Sequence, residues 1–244
     1  AEPGQRWGNP RYRRAQMAAA DHRWWVERFA TQFALVDMVR IDHFPGFEKY
    51  WEIPAAAETA VDGHWVEGPG ADLFEHLQQH FGELPVVAED LGIITPEVDA
   101  LRLQFEFPGM KILQFAFDAG DDNPYLPKNH EPLSVVYTGT HDNDTTLGWY
   151  SSLDDAGKEN VNAHLPENAS DMPWALISTA LHSTSVLAII PMQDLLGLDS
   201  VARMNTPGTA EGNWSWRFSW GQVAVDLAAR VSTLSRQAGR LVSS

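Results

Sequence analysis

Three acidic residues stand where an apolar run gives way to polar residues: Asp42 in VRIDHFPGF, Glu89 in VVAEDLG and Asp142 in TGTHDNDTT. Two carboxylates flanking a glycosidic bond are what a retaining glycosidase requires. One attacks as nucleophile, and the other gives a proton to the leaving oxygen and later takes one from the acceptor. A third can hold sugar hydroxyls while the ring distorts. Acids at such positions also cap helices or face water, so the type of residue alone does not decide. Arg40 precedes Asp42 by two residues on the same expected strand, which puts both side chains on one face. A buried guanidinium there would keep Asp42 ionised, as a nucleophile must be; the alternative is a purely structural ion pair. His43 and His141 each adjoin an acid and are placed to donate hydrogen bonds to sugar hydroxyls. The nine histidines include no HExxH pair or comparable ligand spacing, so neither a metal nor another cofactor is expected. Gly92 and Gly109 belong to no phosphate-cradling motif, and Ser183 and Ser185 to no nucleophile elbow.

Ten tryptophans are many for this length. Trp24 and Trp25 fall in a helical pattern and read as core. Trp7 in GQRWGNP and Trp214 and Trp216 in GNWSWRF lie among turn residues, where an exposed indole can stack on the apolar face of a sugar ring.

The elements that must position these groups follow from the apolar pattern. Five runs read as buried strands: Val36 to Ile41, Leu84 to Ala88, Met110 to Phe117, Val135 to Thr138 and Val186 to Ile190. Helical spacing separates them, in Trp24 to Phe33, Leu73 to Phe81, Val98 to Phe105, Trp174 to Leu181 and Val223 to Leu241. Thr95 and Pro96 have the types that suit an N-cap and a first helical position. Strands buried on both faces and alternating with helices predict an α/β fold with a parallel sheet. Polar residues at several carboxyl ends favour a (β/α)8 TIM barrel, whose active site lies on that face. Five strand-helix units of the eight make residues 1–244 the C-terminal part of such a barrel, with its N-terminal strands expected from elsewhere. The chain opens without methionine in a Gly/Pro-rich stretch that reads as a loop, and Ala119 to Pro132 reads as an exposed loop.

Composition bounds the partners. With 44% hydrophobic residues the 244-residue chain can bury a core, and with no cysteine it can have neither disulfides nor a thiolate site, which fits a reducing, cytoplasmic setting. A formal charge of −16 argues against nucleic acid or an anionic membrane as partner and favours a neutral or cationic substrate. No apolar run is long enough to span a bilayer.

The segments VRIDHFPGFEKYWEIPA, VVAEDLGIITPEVDALR, FPGMKILQFAFD, VVYTGTHDNDTTLGWY and ARMNTPGTAEGNWSWRF together closely resemble glycoside hydrolase family 77, the amylomaltases. The resemblance implies a barrel that transfers α-1,4-glucan segments between maltooligosaccharides by a retaining double displacement, without a required metal. Residue by residue it assigns Asp42 as nucleophile, Glu89 as acid/base and Asp142 as transition-state stabiliser. Arg40, His43 and His141 match positions around the reacting sugar, and Trp7 and Asn205 match positions near the substrate groove. Two departures stand out. The family commonly carries arginine where this chain has Pro45, which lacks both charge and N–H. Its members are also about twice as long. A hydrolase acting on the same glucans is the nearest alternative. A non-catalytic chain that binds glucan or a partner is the other, since an open half barrel would invite its missing N-terminal half or a second copy.

Overall fold

The structure is a computed structural model that describes residue 4 and residues 6–92, 94–165 and 171–241. The Gly/Pro-rich opening therefore falls partly outside the described residues. The chain divides into two compact units, Ala1–Met110 and Lys111–Ser244.

The first unit runs α1 (Arg14–Ala19), α2 (Arg23–Phe33), β1 (Val39–Ile41), α3 (Pro45–Glu48), β2 (Lys49–Glu52), β3 (His64–Glu67), α4 (Gly70–Phe81), β4 (Val86–Ala88) and α5 (Pro96–Gln104), ending in β5 (Gly109–Ile112), which crosses the division. β1 and β4 pair in parallel with Arg40 opposite Val87. α4 presents Leu73, Phe74 and Leu77 to the core at helical spacing, all fully buried. Phe74 packs against Phe44, Phe47, Phe105 and Phe107 with ring centroids 5.2–5.7 Å apart. This aromatic cluster holds the β1 and β4 ends from below. α5 starts as its sequence predicts, with Thr95 accepting from the Val98 N–H and Pro96 in the first turn.

The second unit contains β6 (Ser134–Tyr137), α6 (Thr146–Ser152), α7 (Asp155–His164), α8 (Trp174–His182), β7 (Leu187–Ile189), α9 (Met192–Leu195) and α10 (Leu227–Gln237). Its sheet has the order β5–β6–β7, and β6 and β7 are parallel with Val135 opposite Leu187. Among the described residues no helix is long and apolar enough to cross a membrane.

The α/β class stands, with five corrections of detail. β2 and β3 form an antiparallel hairpin, Trp51 opposite Trp65, that the search for apolar runs missed because its residues mix Trp with Lys, Glu and His. The run Met110 to Phe117 is a strand only to Ile112; Leu113–Phe115 turn into a 3-10 helix, where Asn123 Nδ2 donates to the Phe115 and Ala116 carbonyls. Burial on both faces holds for β4, β5 and β6, but Leu187 and Ile189 of β7 are about two-fifths exposed, at 38% and 40%. The segment Ala119 to Pro132 is not a simple exposed loop, because Asn123, Leu126 and His130 are buried within it. The last helix is also shorter than its apolar pattern, covering Leu227–Gln237 of the expected Val223 to Leu241.

His130 gives that segment a pH signature. Its Nε2 bonds to the Tyr125 carbonyl at 2.9 Å and its Nδ1 meets Ser185 Oγ at 3.2 Å. Burial pushes its pKa below the ordinary histidine value, opposed by the Tyr125 hydrogen bond. The unfolded chain then binds the proton first, so stability is full above about pH 6.5 and is lost as the pH falls through the depressed value. Urea midpoints taken between pH 7.5 and 5 should fall, and His130→Gln should flatten that part of the profile. An equal slope in the variant would assign the loss to other groups.

Candidate functional site

In the first unit, four of the expected site residues come together at the carboxyl ends of β1 and β4. Asp42 follows β1 directly, and Arg40 Nη1 donates to its Oδ1 at 2.8 Å. The shared face expected from their spacing is therefore present, but the pair is not buried. The Asp42 side chain is 70% exposed and that of Arg40 31%, so solvent screens the attraction. Arg40 Nε also donates to Met110 Sδ at 3.3 Å, which fixes the guanidinium from its other side.

Glu89 follows β4 and is almost fully buried. Its backbone N–H donates to the Ile41 carbonyl and its carbonyl accepts from the Phe44 N–H, both at 2.9 Å. Its carboxylate accepts from the His43 N–H at 2.6 Å through Oε2 and from the Leu91 N–H at 3.1 Å through Oε1. Main chain and side chain of Glu89 thus both bond to the Ile41 to Phe44 segment that carries Asp42. His43 adopts a left-handed conformation, φ 47°, which turns its N–H toward that carboxylate. Pro45 begins α3, where a backbone N–H would have no helical partner, so the departure at this position loses charge but no helix hydrogen bond.

In the second unit, Asp142 lies in the turn between β6 and α6. Asn205 Nδ2 donates to its Oδ1 at 2.6 Å, and Arg203 Nη2 donates to its backbone carbonyl at 2.7 Å. His141 Nε2 is 3.4 Å from Asp142 Oδ2, and its ring packs on Trp214 with centroids 5.1 Å apart. Trp214, at φ 59°, is half exposed. His141, Asn143, Arg203, Met204 and Trp214 border a cavity of about 180 Å³. His141, Asp142 and Asn205 are therefore one group, with Trp214 beside them. Trp216 instead stacks on Phe218, and Trp7 is 71% exposed in the stretch before α1.

Two residues escaped the sequence reading. Arg203 lies in the ARMNTPG segment but carried no assigned role, and only the fold shows it holding the Asp142 carbonyl. Asp194, four residues past the last apolar run, likewise carried no assigned role. It is fully buried and accepts from Thr138 Oγ1, Thr146 Oγ1 and the Thr146 N–H at 2.6–2.8 Å. Those partners are the two ends of the turn bearing His141 and Asp142. Burial pushes the Asp194 carboxyl up, and the three hydrogen bonds pull it down.

Each unit thus offers carboxylates just past parallel strands, Asp42 and Glu89 near Arg40 in the first and Asp142 beside His141 with Trp214 near it in the second, residue types that carbohydrate-active enzymes use. Comparison with known proteins fixes the family. The family model described as 4-alpha-glucanotransferase, glycoside hydrolase family 77, matches residues 1–223. The chain belongs to that family. It is 49% identical to a 4-alpha-glucanotransferase of Thermus thermophilus over 99% of its own length, and 50% identical to one from Streptococcus pneumoniae over 90%. An amylomaltase structure from Streptococcus agalactiae in complex with acarbose superposes with a TM-score of 0.91 at 34% identity over 97% of this chain. The chain spans only about half the length of these relatives, 50%, 44% and 48% respectively.

Proposed function

We propose that this chain carries the reacting groups of a 4-α-glucanotransferase, an enzyme that moves α-1,4-glucan segments between maltooligosaccharides. The observation that supports it most is the bonding of Glu89, by both main chain and carboxylate, to the segment bearing Asp42. It holds the backbone that carries Asp42 beside the Glu89 carboxylate.

In the proposed reaction Asp42 Oδ attacks the anomeric carbon while Glu89 gives its proton to the leaving glycosidic oxygen. The C–O bond to the leaving glucan breaks, and the retained segment becomes an ester of Asp42. Glu89, now ionised, takes the proton from the 4-hydroxyl of an acceptor sugar as that oxygen displaces Asp42, which restores both groups. Arg40 orients the Asp42 carboxylate. Asp142, held by Asn205 and Arg203, stabilises the transition state, while His141, His43, Trp214 and Trp7 contact sugar. No step calls for a metal or cofactor.

Residues 1–244 are read as the C-terminal part of a (β/α)8 barrel, because their parallel strands alternate with helices and nearly the whole chain aligns with relatives about twice as long. The remaining strands then come from a preceding stretch of chain, a second polypeptide or another copy. A cysteine-free, acidic chain fits glucan metabolism in the cytoplasm, on starch-derived chains or maltose oligomers.

Incubation with maltotriose tests the proposal. Oligosaccharides longer than the substrate, formed alongside glucose, are the expected products. Glucose and maltose alone would establish a hydrolase. No turnover by the folded chain, with or without a complementing family 77 N-terminal half, would leave only a glucan- or partner-binding role.

A further inference from the structure

A second cluster of donor groups lies in the first unit and shares no residue with the carboxylate site. It consists of His22, Asp72 and His76. His22 is the residue before α2, buried to 3% exposure, and follows Asp21 in a pair of left-handed residues at φ 50° and 47°. Its Nε2 lies 2.7 Å from Asp72 Oδ2. Asp72 and His76 are one turn apart on α4 and share a face. His76 Nδ1 is 3.8 Å from Asp72 Oδ1, and the two imidazole rings meet at 5.1 Å, nearly edge to face. One ligand atom from each of the three residues lies within 4.8 Å of the other two.

We propose that His22, Asp72 and His76 bind one divalent transition-metal ion of the zinc type. Two imidazole nitrogens and a carboxylate oxygen suit Zn²⁺, Co²⁺ or Ni²⁺ and not the all-oxygen preference of Mg²⁺ or Ca²⁺. The spacing in sequence hid the site, because His22 comes from a different helix start than the Asp72/His76 pair. Without metal the Asp72 carboxylate bonds only to His22 within this trio, since His76 Nδ1 stands 3.8 Å from it, too far for a hydrogen bond. That Nδ1 instead lies 3.1 Å from the Asp72 carbonyl. A carbonyl oxygen only accepts, so Nδ1 carries the proton and Nε2 of the neutral ring keeps its lone pair. Histidines that ligate metals are oriented by this kind of bond.

Geometry also sets the strength. The Asp72 side chain is 61% exposed, which leaves room for water as the fourth ligand. When a cation replaces the proton between His22 Nε2 and Asp72, that proton leaves or moves to Nδ1. His22 Nδ1 is buried and has no hydrogen-bond partner among the described residues. Losing such an outer partner weakens metal sites by about 10- to 100-fold, so the ion is expected to bind in the micromolar range. Its effect is to clasp the start of α2 to the first turns of α4.

Isothermal titration of the full chain with ZnCl2 after chelator treatment, repeated on His76→Ala and Asp72→Asn, reads this out. Asp72 is exposed and His76 about one-third exposed, at 34%, so both substitutions are made outside the core, whereas His22 is buried and is left unchanged. One equivalent of Zn²⁺ with micromolar Kd is expected, weakened about tenfold or more in each variant. Zinc should raise the thermal midpoint of the parent chain and not that of His76→Ala, and Co²⁺ should give visible absorption lost in the same variant. The proposal is overturned if the parent takes up no stoichiometric zinc below about 100 µM, since that is far weaker than the range argued above. It is equally overturned if His76→Ala binds within threefold of the parent, which would assign the uptake to other surface histidines as an adventitious ion only.

Discussion

Asp42→Asn is expected to abolish glucan transfer, by at least about 10⁴-fold, because in the proposed reaction the glycosyl ester forms on Asp42. Glu89→Gln should lower it by about 10²–10⁴-fold, the usual worth of a positioned acid and base. The two losses differ in kind, and the substrate can separate them. A glycosyl fluoride needs no proton on its leaving group, so Glu89→Gln should still form the glycosyl ester from maltosyl fluoride, while Asp42→Asn should not. Glutamine is also not an innocent replacement here. Both carboxylate oxygens accept backbone N–H bonds, from His43 and Leu91, and an amide offers only one acceptor. One N–H is then left facing an NH2 group, at about 1–3 kcal/mol. The measurement is maltotriose disproportionation and fluoride release, made in whichever form turns over, the chain alone or the chain with a complementing half. If both variants lose fluoride release equally, the assignment of Glu89 as acid/base is wrong and its role is to hold the Asp42 segment in place.

The strand ends were legible because a buried strand must be apolar and must stop, so Asp42, Glu89 and Asp142 are marked by contrast with Ile41, Ala88 and Thr138. The partnership of Arg40 with Asp42 was legible for the same reason, since alternate strand residues share a face. Its exposure was not, because burial depends on what lies across the sheet edge and two residues do not encode that. The hairpin of β2 and β3 hid because exposed strands alternate weakly, and Trp51 and Trp65 look like core residues out of context. The buried network of Asn123, Leu126 and His130 hid for the opposite reason. Asp, Asn and Pro around them predict turns, and the turns are there, but Asn123 spends its side chain on carbonyls of the preceding 3-10 turn and is drawn inward. Long-range partners such as Arg203 with Asp142, or His22 with Asp72, leave no local trace at all. Only a family resemblance or the fold itself brings them together.

Asp90→Ala is expected to be the most damaging single change to stability near the site, at about 3–5 kcal/mol. Asp90 follows Glu89 and faces the other way, into the first unit. Its Oδ1 accepts the Met110 N–H at 2.7 Å, and its Oδ2 is 3.4 Å from Arg102 Nε. Arg102 is 2% exposed, with further bonds from Nη1 to the Phe107 carbonyl and from Nη2 to Asp99 Oδ1 at 3.1 and 3.3 Å. Removing Asp90 takes away the buried carboxylate beside that guanidinium, and the Asp99 carboxylate that also meets it is itself half exposed. It also leaves the Met110 N–H without its acceptor. Gly109 belongs to the same arrangement, because a Cβ there would stand 2.2 Å from Asp90 Oδ2. Gly109→Ala should therefore displace the same carboxylate. The double variant Asp90→Ala/Arg102→Met decides the cause. A buried ion pair exchanged for apolar atoms is commonly near neutral, so the second substitution should recover most of the stability that the first removes. Urea unfolding of the three chains measures it. A loss below about 1 kcal/mol in Asp90→Ala would mean that water reaches the guanidinium. A full loss with no recovery in the double variant would place the cost in the Met110 hydrogen bond and in the position of the neighbouring Glu89.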